Sequence, residues 1–357
     1  MSKTEYKRLG DYIREVNVRN RELKVTKPSG INIDKHFMPS VANVIGTDLS
    51  VYKLVSKKQY ACNLMHVGRD EKIPMAIHID DAPIIVSPAY FVFEVAEPNV
   101  LLPEYLMMWF SRPEFDRNAW FYTDADVRGG MSKEALLDMQ LPIPSITRQR
   151  EIVAEYETLT NRICLNNQMI QNLEATAQAL YRKTFVDNID KENLPEGWRM
   201  GTLGEVADIR NGKAIVPAEG DIPVYGGNGI VGYTNSSNAE NVVVIGRVGI
   251  NCGSLYLHQS KCYVNDNAMI AIPKNGNTIF LYRTMKEMDL NSQSEGSGQP
   301  LLTQSIIYKQ ECLIPKLEQR IKFEEQMRII YNQKFLKEKE NEKLTELQSL
   351  LLTKMGR

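Results

Sequence analysis

GGMSKEALLDMQLPIPSITRQREIV occupies residues 129–153, and GQPLLTQSIIYKQECLIPKLEQRIKF occupies residues 298–323. Placing Pro144 on Pro315 brings Ser132 onto Thr303, Leu136 onto Ile307 and Ile143 onto Ile314. One residue of slippage then sets Gln149 on Gln319. Each copy reads in the same order: a Ser or Thr able to cap a short helix, a strand, and an Ile-Pro pair that opens a long helix. An earlier block repeats too, with Leu9-Gly10 of RLGDYIREV matching Leu203-Gly204 of TLGEVADIRNG. Matched blocks in a shared order predict two related globular units, each followed by a long helix. Chance likeness of Leu- and Pro-containing segments does not account for that order.

The first long helix carries a regular apolar seam: Ile152, Tyr156, Leu159, Ile163, Asn166, Ile170, Leu173, Ala177 and Leu180. Its steps of four and three alternate without a slip, the heptad pattern of a coiled coil, and Asn166 is a single polar residue of the kind that fixes register. The segment from about Phe323 to Leu351 contains no Pro or Gly. Its middle, KFLKEKENEKL, is highly charged, but apolar seam positions return at Leu344, Leu347 and Leu351. The two helices are expected to pack antiparallel; the plainer reading lays each on its own globular unit. At 1.5 Å per residue, roughly 35–40 residues extend about 55 Å, the length of a spacer. The polar connector DNIDKENLPEGW (187–198) separates the halves.

The expected organisation is a first unit over 1–144, a helical spacer over 145–187, a second unit over 188–315 and a second spacer over 316–357. APIIVSPAYFVFEV, NVVVIGRVG and NAMIAIP read as strands, and PEYLMMWFSRPEF as helix. The fold class is therefore α+β, mixed α/β, with two pseudo-repeated domains joined by two long antiparallel coiled-coil helices.

Composition sets outer bounds. Hydrophobic residues make up 43% of 357, an ordinary globular content. A net charge of −1 supplies no global basic field, although local basic residues can still meet nucleic acid. MSKTEYKRLG is polar, with no apolar stretch for a signal peptide, and runs such as YFVFEVA are strand-length, so no membrane association is expected. Five cysteines without a C-x-x-C pair fit reduced thiols in a cytoplasm. Cys252 and Cys262 could share a metal with His258, but buried thiols are the stronger reading because no established ligand spacing is present. His36, His66, His78 and His258 share no spacing that suggests a metal site or catalytic relay.

Within YGGNGIVG (225–232) lies a G-x-G-x-x-G, formed by Gly227, Gly229 and Gly232. A dinucleotide site needs a strand before it, a helix after it and an acid about 20 residues on. Here DIPVY precedes, the turn-forming YTNSSNAEN follows, and position 249 is glycine. The cofactor reading fails on all three counts, and no P-loop pattern occurs. What remains is a Gly/Asn-rich loop carrying Asn228, Tyr233 and Asn235, followed by VVVIGRVGINCG with Arg247 and Asn251. Asn and Arg suit bidentate contacts with adenine and guanine edges; the plainer reading has them satisfying tight turns.

LPEGW (194–198), YGGNGIVGYTN (225–235), VVVIGRVGINCG (242–253) and VNDNAMI (264–270) resemble motifs of the DNA-specificity subunit of type I restriction-modification systems. NLMHVGRDEKIPMAI (63–77), IIVSPAYFVFEV (84–95), EYLMMWFSRPEFDR (104–117) and DVRGGMS (126–132) extend the resemblance through the first half, as do IPSITRQREIV and QNLEATAQALYRKTFVDNI on the first helix. The resemblance implies two target-recognition domains, each reading half of a split double-stranded DNA target. It also implies two methyltransferase (modification) subunits and a restriction (motor/nuclease) subunit as partners, with S-adenosylmethionine, ATP and Mg held by those partners and no cofactor in this chain. Consistent with a non-catalytic role, no N-P-P-[FY] methyltransferase motif, P-loop or convincing P-D…[DE]-x-K nuclease signature occurs. A spacer of this length sets half-sites on the order of one DNA turn, roughly 34 Å, apart. Candidate DNA contacts, chosen as polar groups within the loop motifs, are Arg69, Arg128, Asn228, Tyr233, Arg247 and Asn251. The rival readings are a coiled-coil adaptor without DNA readout and a solitary enzyme using a nucleotide cofactor.

Overall fold

The computed structural model describes residues 5–41, 46–65, 67–123, 129–187, 189–294 and 300–355. Arg128 and His66 lie outside the described residues. The chain divides into two compact units, Met1–Leu165 with Glu340–Arg357 and Asn166–Lys339. The long helices are Ile146–Phe185 and Leu317–Lys354, and the division falls inside each of them rather than at its start.

The repeat is visible bond by bond. In the first unit, strand Tyr6–Arg8 pairs antiparallel with Gln140–Pro142, Arg8 opposite Gln140. In the second, Arg199–Thr202 pairs antiparallel with Glu311–Ile314, Thr202 opposite Glu311. The next residue completes the frame each time: the Leu9 amide donates to Met139 O at 2.8 Å, and the Leu203 amide to Gln310 O at 2.9 Å. Ser132 caps helix Lys133–Asp138 by accepting from the Ala135 amide, and Thr303 caps Gln304–Tyr308 by accepting from the Ile306 amide. Leu9, Leu136, Leu203 and Ile307, the apolar partners expected from the alignment, are all fully buried.

Each unit then builds its own sheet. The first has an antiparallel four-stranded sheet in the order Ile13–Glu15, Phe91–Val95, Tyr60–Cys62, Met75–Ile77. The second has six strands in the order Ala207–Asn211, Ala268–Pro273, Ala239–Gly246, Leu255–Val264, Ile222–Gly226, Gly229–Thr234. One neighbouring pair there, Ile222–Gly226 with Leu255–Val264, is parallel. The run Val242–Ile245 is wholly apolar because both faces of its strand are covered. Val243 and Ile245 pack toward Phe280, Phe323 and Tyr331; Val242 and Val244 pack toward Tyr225, Cys262 and Ile270. Alternation of side chains across a strand makes this division automatic.

Within the first unit the long-helix segments pack antiparallel: Ile152, Val153 and Tyr156 share a core with Leu351, Leu352 and Met355, Gln348 Nε2 donates to Thr160 Oγ1, and Arg162 pairs with Glu340. Within the second, Glu174 pairs with Lys334, and Tyr181 and Phe185 meet Phe323. Along the expected seam, Ile152, Asn166 and Ala177 are buried, and Tyr156, Leu159, Ile163, Ile170 and Leu173 are half-buried. Leu180 departs from it. That residue is 38% exposed, whereas Tyr181 is 5% exposed, so beyond Ala177 the buried stripe advances in steps of four through Tyr181 to Phe185. The reason is the partner: Tyr181 and Phe185 pack against Phe280 of the globular part as well as the other helix, and the strict heptad no longer governs. Leu347 is likewise exposed. No helix among the described residues is long and apolar enough to cross a membrane.

Candidate nucleic-acid interface

The glycine-rich stretch forms a hairpin in the second unit, strands Ile222–Gly226 and Gly229–Thr234 joined through Gly227 and Asn228. Gly229 sits at φ +86°, a left-handed conformation that a side chain resists. Strand Ala239–Gly246 ends beside this turn. A Cβ on Gly246 would lie 2.5 Å from Asn251 O and 2.7 Å from Gly227 O, so the two loops meet only because this position has no side chain. A third loop closes the group: the Arg247 amide donates to Asn267 O at 3.2 Å, and the Asn265 amide to Tyr225 O at 2.8 Å.

This arrangement gathers the loops of Asn228, Arg247 and Asn251, which are separated in sequence. Asn228 is exposed on the turn. Arg247 is half-buried; its Nη1 donates to Asp266 O at 3.5 Å and its carbonyl accepts from the Leu302 amide at 2.9 Å, so it also braces the loops. Asn251 is half-buried in the short turn Gly249–Asn251. Tyr233 stands apart: it is exposed, but four residues along the strand from Gly229, about 13 Å from the turn at strand rise.

In the first unit, Arg69 lies in the single helical turn Val67–Asp70, with Nε and Nη2 on Asp70 at 2.7 and 3.0 Å. The loop is clipped in place by two bonds, the Met131 amide to Leu64 O at 2.9 Å and the Gly68 amide to Gly129 O at 2.7 Å. The second unit repeats the clip, the Leu302 amide to Arg247 O at 2.9 Å and the Gly249 amide to Pro300 O at 3.0 Å.

Two groups in the second unit's loops escaped the sequence reading. Asn265 Oδ1 accepts from the Asn267 amide at 2.9 Å and holds the third loop; the N-D-N triplet was its turn signal. Ile250, at the tip of the Gly249–Asn251 turn, is 92% exposed and drew no notice because it is apolar.

His258 Nδ1 lies 3.1 Å from Tyr225 Oη, and its Nε2 lies 2.9 Å from Ser260 Oγ. Burial lowers the imidazole pKa and raises that of Tyr225, so a neutral phenol rather than a carboxylate stands behind the ring. Cys252 and Cys262 are buried thiols, and burial pushes Cys262 up to about 12. Among the described residues, no group of three His, Cys, Asp or Glu side chains is placed to hold a metal.

Residues 195–346 match the type I restriction modification DNA specificity domain. The EcoprrI type I restriction enzyme specificity subunit of Escherichia coli is 30% identical over 193 residues, 50% of this chain and 47% of the relative. The HindI specificity subunit of Haemophilus influenzae is 33% identical over 107 residues, 29% of this chain and 23% of the relative. The matched regions thus span less than half of either relative's length. The fold is that of the type I restriction-modification S subunit from M. genitalium, with a TM-score of 0.63 at 15% identity, covering 99% of this chain and 96% of that one. The second half of the chain, residues 195–346, therefore carries a type I restriction modification DNA specificity domain.

Proposed function

We propose that this chain is a non-catalytic DNA-specificity subunit that reads a bipartite, asymmetric duplex target, one half-site per unit. The observation that carries this reading is the repeated frame: the half containing the matched specificity domain and the other half build the same strand pair, cap and loop clip. Asn228, Arg247 and Asn251 would face one half-site and Arg69 the other, with Arg128 and Tyr233 retained as further candidates. Two readers linked in one chain make the second contact intramolecular, so their discrimination multiplies. The outer faces of the long helices would dock two methyltransferase subunits and a restriction subunit. S-adenosylmethionine, ATP and Mg would reside on those partners.

A domain exchange tests this. The target is first determined by enriching random-sequence duplexes on the full chain, alone and with a methyltransferase subunit. Replacing residues 1–144 with another recognition domain should then change one half-site and leave the other intact. If both half-sites change together, the modular reading is wrong; if no duplex is enriched under either condition, a protein-binding adaptor takes its place.

A further inference from the structure

The loop clips make two tip residues comparable. Met131 and Leu302, and Gly129 and Pro300, occupy matching places in the register that sets Pro144 on Pro315. Their hydrogen-bond partners are therefore matched too: Leu64 with Arg247, and Gly68 with Gly249. The residue after the clipped glycine is Arg69 in one loop and Ile250 in the other, although the loops differ in length between the two clip points and Gly249, unlike Gly68, sits at φ +68°.

Their exposure is similar and their chemistry opposite. The Arg69 side chain is 66% exposed. Asp70, itself 20% exposed, takes the Nε–Nη2 edge and fixes the guanidinium plane. Nη1 and the second Nη2 hydrogen keep their capacity to donate to a further acceptor. Ile250 is 92% exposed in a loop cluster that also carries the polar Asn228, Arg247 and Asn251. Scattered exposed hydrocarbon is ordinary on protein surfaces, so exposure alone decides nothing. What singles out Ile250 is its place: like Arg69 it follows a clipped glycine, on a loop whose Asn251 packs with Gly227 against Gly246.

Resting on the DNA-reading proposal above, we propose that this post-glycine position reads one base in each half-site, Arg69 a guanine and Ile250 the 5-methyl group of a thymine. A planar fork of two N–H donors matches the N7 and O6 acceptors of guanine in the major groove. A branched hydrocarbon offers no hydrogen bond, and the thymine methyl is the apolar feature that the groove presents to it.

The test uses the full chain and the target defined by library enrichment. Within the half-site read by the second unit, one thymine should be sensitive to replacement by deoxyuridine, which removes only the methyl. The expected weakening is about fourfold, the value of one buried methyl-sized group. Ile250→Ala should abolish that sensitivity while binding persists. Ile250→Arg should move the enriched base at that position from thymine to guanine and leave the other half-site unchanged. Arg69→Ile should make the reverse change in the first half-site, and 7-deazaguanine there should weaken the wild type by about tenfold but not the variant. Both side chains are solvent-facing, and thermal unfolding midpoints matching the wild type would show that the variants fold. The proposal is overturned if the exchanges leave both enriched half-sites unchanged, or if deoxyuridine weakens the wild type and Ile250→Ala equally. Should the wild type enrich no sequence at all, the DNA-reading proposal falls with it, an outcome separate from either of those.

Discussion

In the first unit the long helix Ile146–Phe185 reaches the short helix Pro103–Phe110 through Gln149; in the second, Leu317–Lys354 reaches Thr278–Lys286 through Glu324. Gln149 is fully buried and uses both ends of its amide. Oε1 accepts from the Leu102 amide at 2.8 Å, and Nε2 donates to Val100 O at 2.8 Å and Pro144 O at 2.9 Å. Glu324 is buried as well, and its carboxyl oxygens accept from the amides of Ile279 and Phe280. Neither short helix has a side-chain cap of its own. Each long helix therefore supplies from outside the acceptor that a helix start needs. A duplicated fold has kept the need and changed the chemistry, from an amide to a carboxyl group.

The second unit extends its ionic character deeper. Arg283, fully buried on Thr278–Lys286, places Nη2 3.0 Å from Glu174 Oε1 and donates Nη1 to Gln178 Oε1 at 2.8 Å. Its guanidinium lies over the rings of Tyr282 and Tyr331, and Lys334 meets Glu174 from the other long helix at 3.0 Å. Arg283→Ala removes a cation that two helices are arranged around, and breaking such a buried group costs about 3–5 kcal/mol. Hydrogen exchange should accelerate across peptides of Asn166–Lys339 while peptides of the first unit keep their protection. Equal acceleration in both units would show that the two do not have separate stabilities.

The matching change in the first unit is smaller. Gln149→Ala leaves the Leu102 amide and the Val100 carbonyl without their partner in a buried place, a loss of about 2 kcal/mol. Urea unfolding followed by the exchange of Pro103–Phe110 amides measures it. A loss confined to that helix supports the clamp, whereas no loss would mean that packing alone seats the helix.

These joints also mark how far the residues could be read in advance. The caps at Ser132 and Thr303, the Leu-Gly pairs and the long helices were legible because each depends on neighbours a few positions away. The repeat alignment sets Gln149 beside Gln319, yet Gln319 is exposed and Glu324 does the corresponding work. Which polar residue points inward is decided by the globular surface facing the helix, and the helix's own pattern carries no record of it. Leu180 gave way to Tyr181 for the same reason. At the candidate site, the glycines were recognisable as turn formers, but the meeting of Gly227 with Gly246 follows from strand order. Ile250 stayed hidden because hydrocarbon is ordinarily read as core.

The finest separation of the two clamps lies in their response to pH. Burial raises the Glu324 carboxyl above its ordinary 4.5, and the amides of Phe280 and Ile279 and the nearby Arg328 offset this only in part. Below 4.5 the folded and unfolded chains both hold the proton, and the contribution to stability is fully present. As pH rises between 4.5 and the raised value, the unfolded chain releases its proton first, so the second unit loses stability through that window and levels off above it. The slope for one proton does not exceed about 1.4 kcal/mol per pH unit. Glu324→Gln should flatten this component while keeping one acceptor at the helix start, and Gln149, which does not titrate, should give the first unit no such slope. The comparison requires urea midpoints of each unit from pH 4 to pH 7, in wild type and variant. A wild-type second unit that gains stability over this interval relative to Glu324→Gln would mean that the helix amides outweigh burial and hold the carboxyl below its ordinary value.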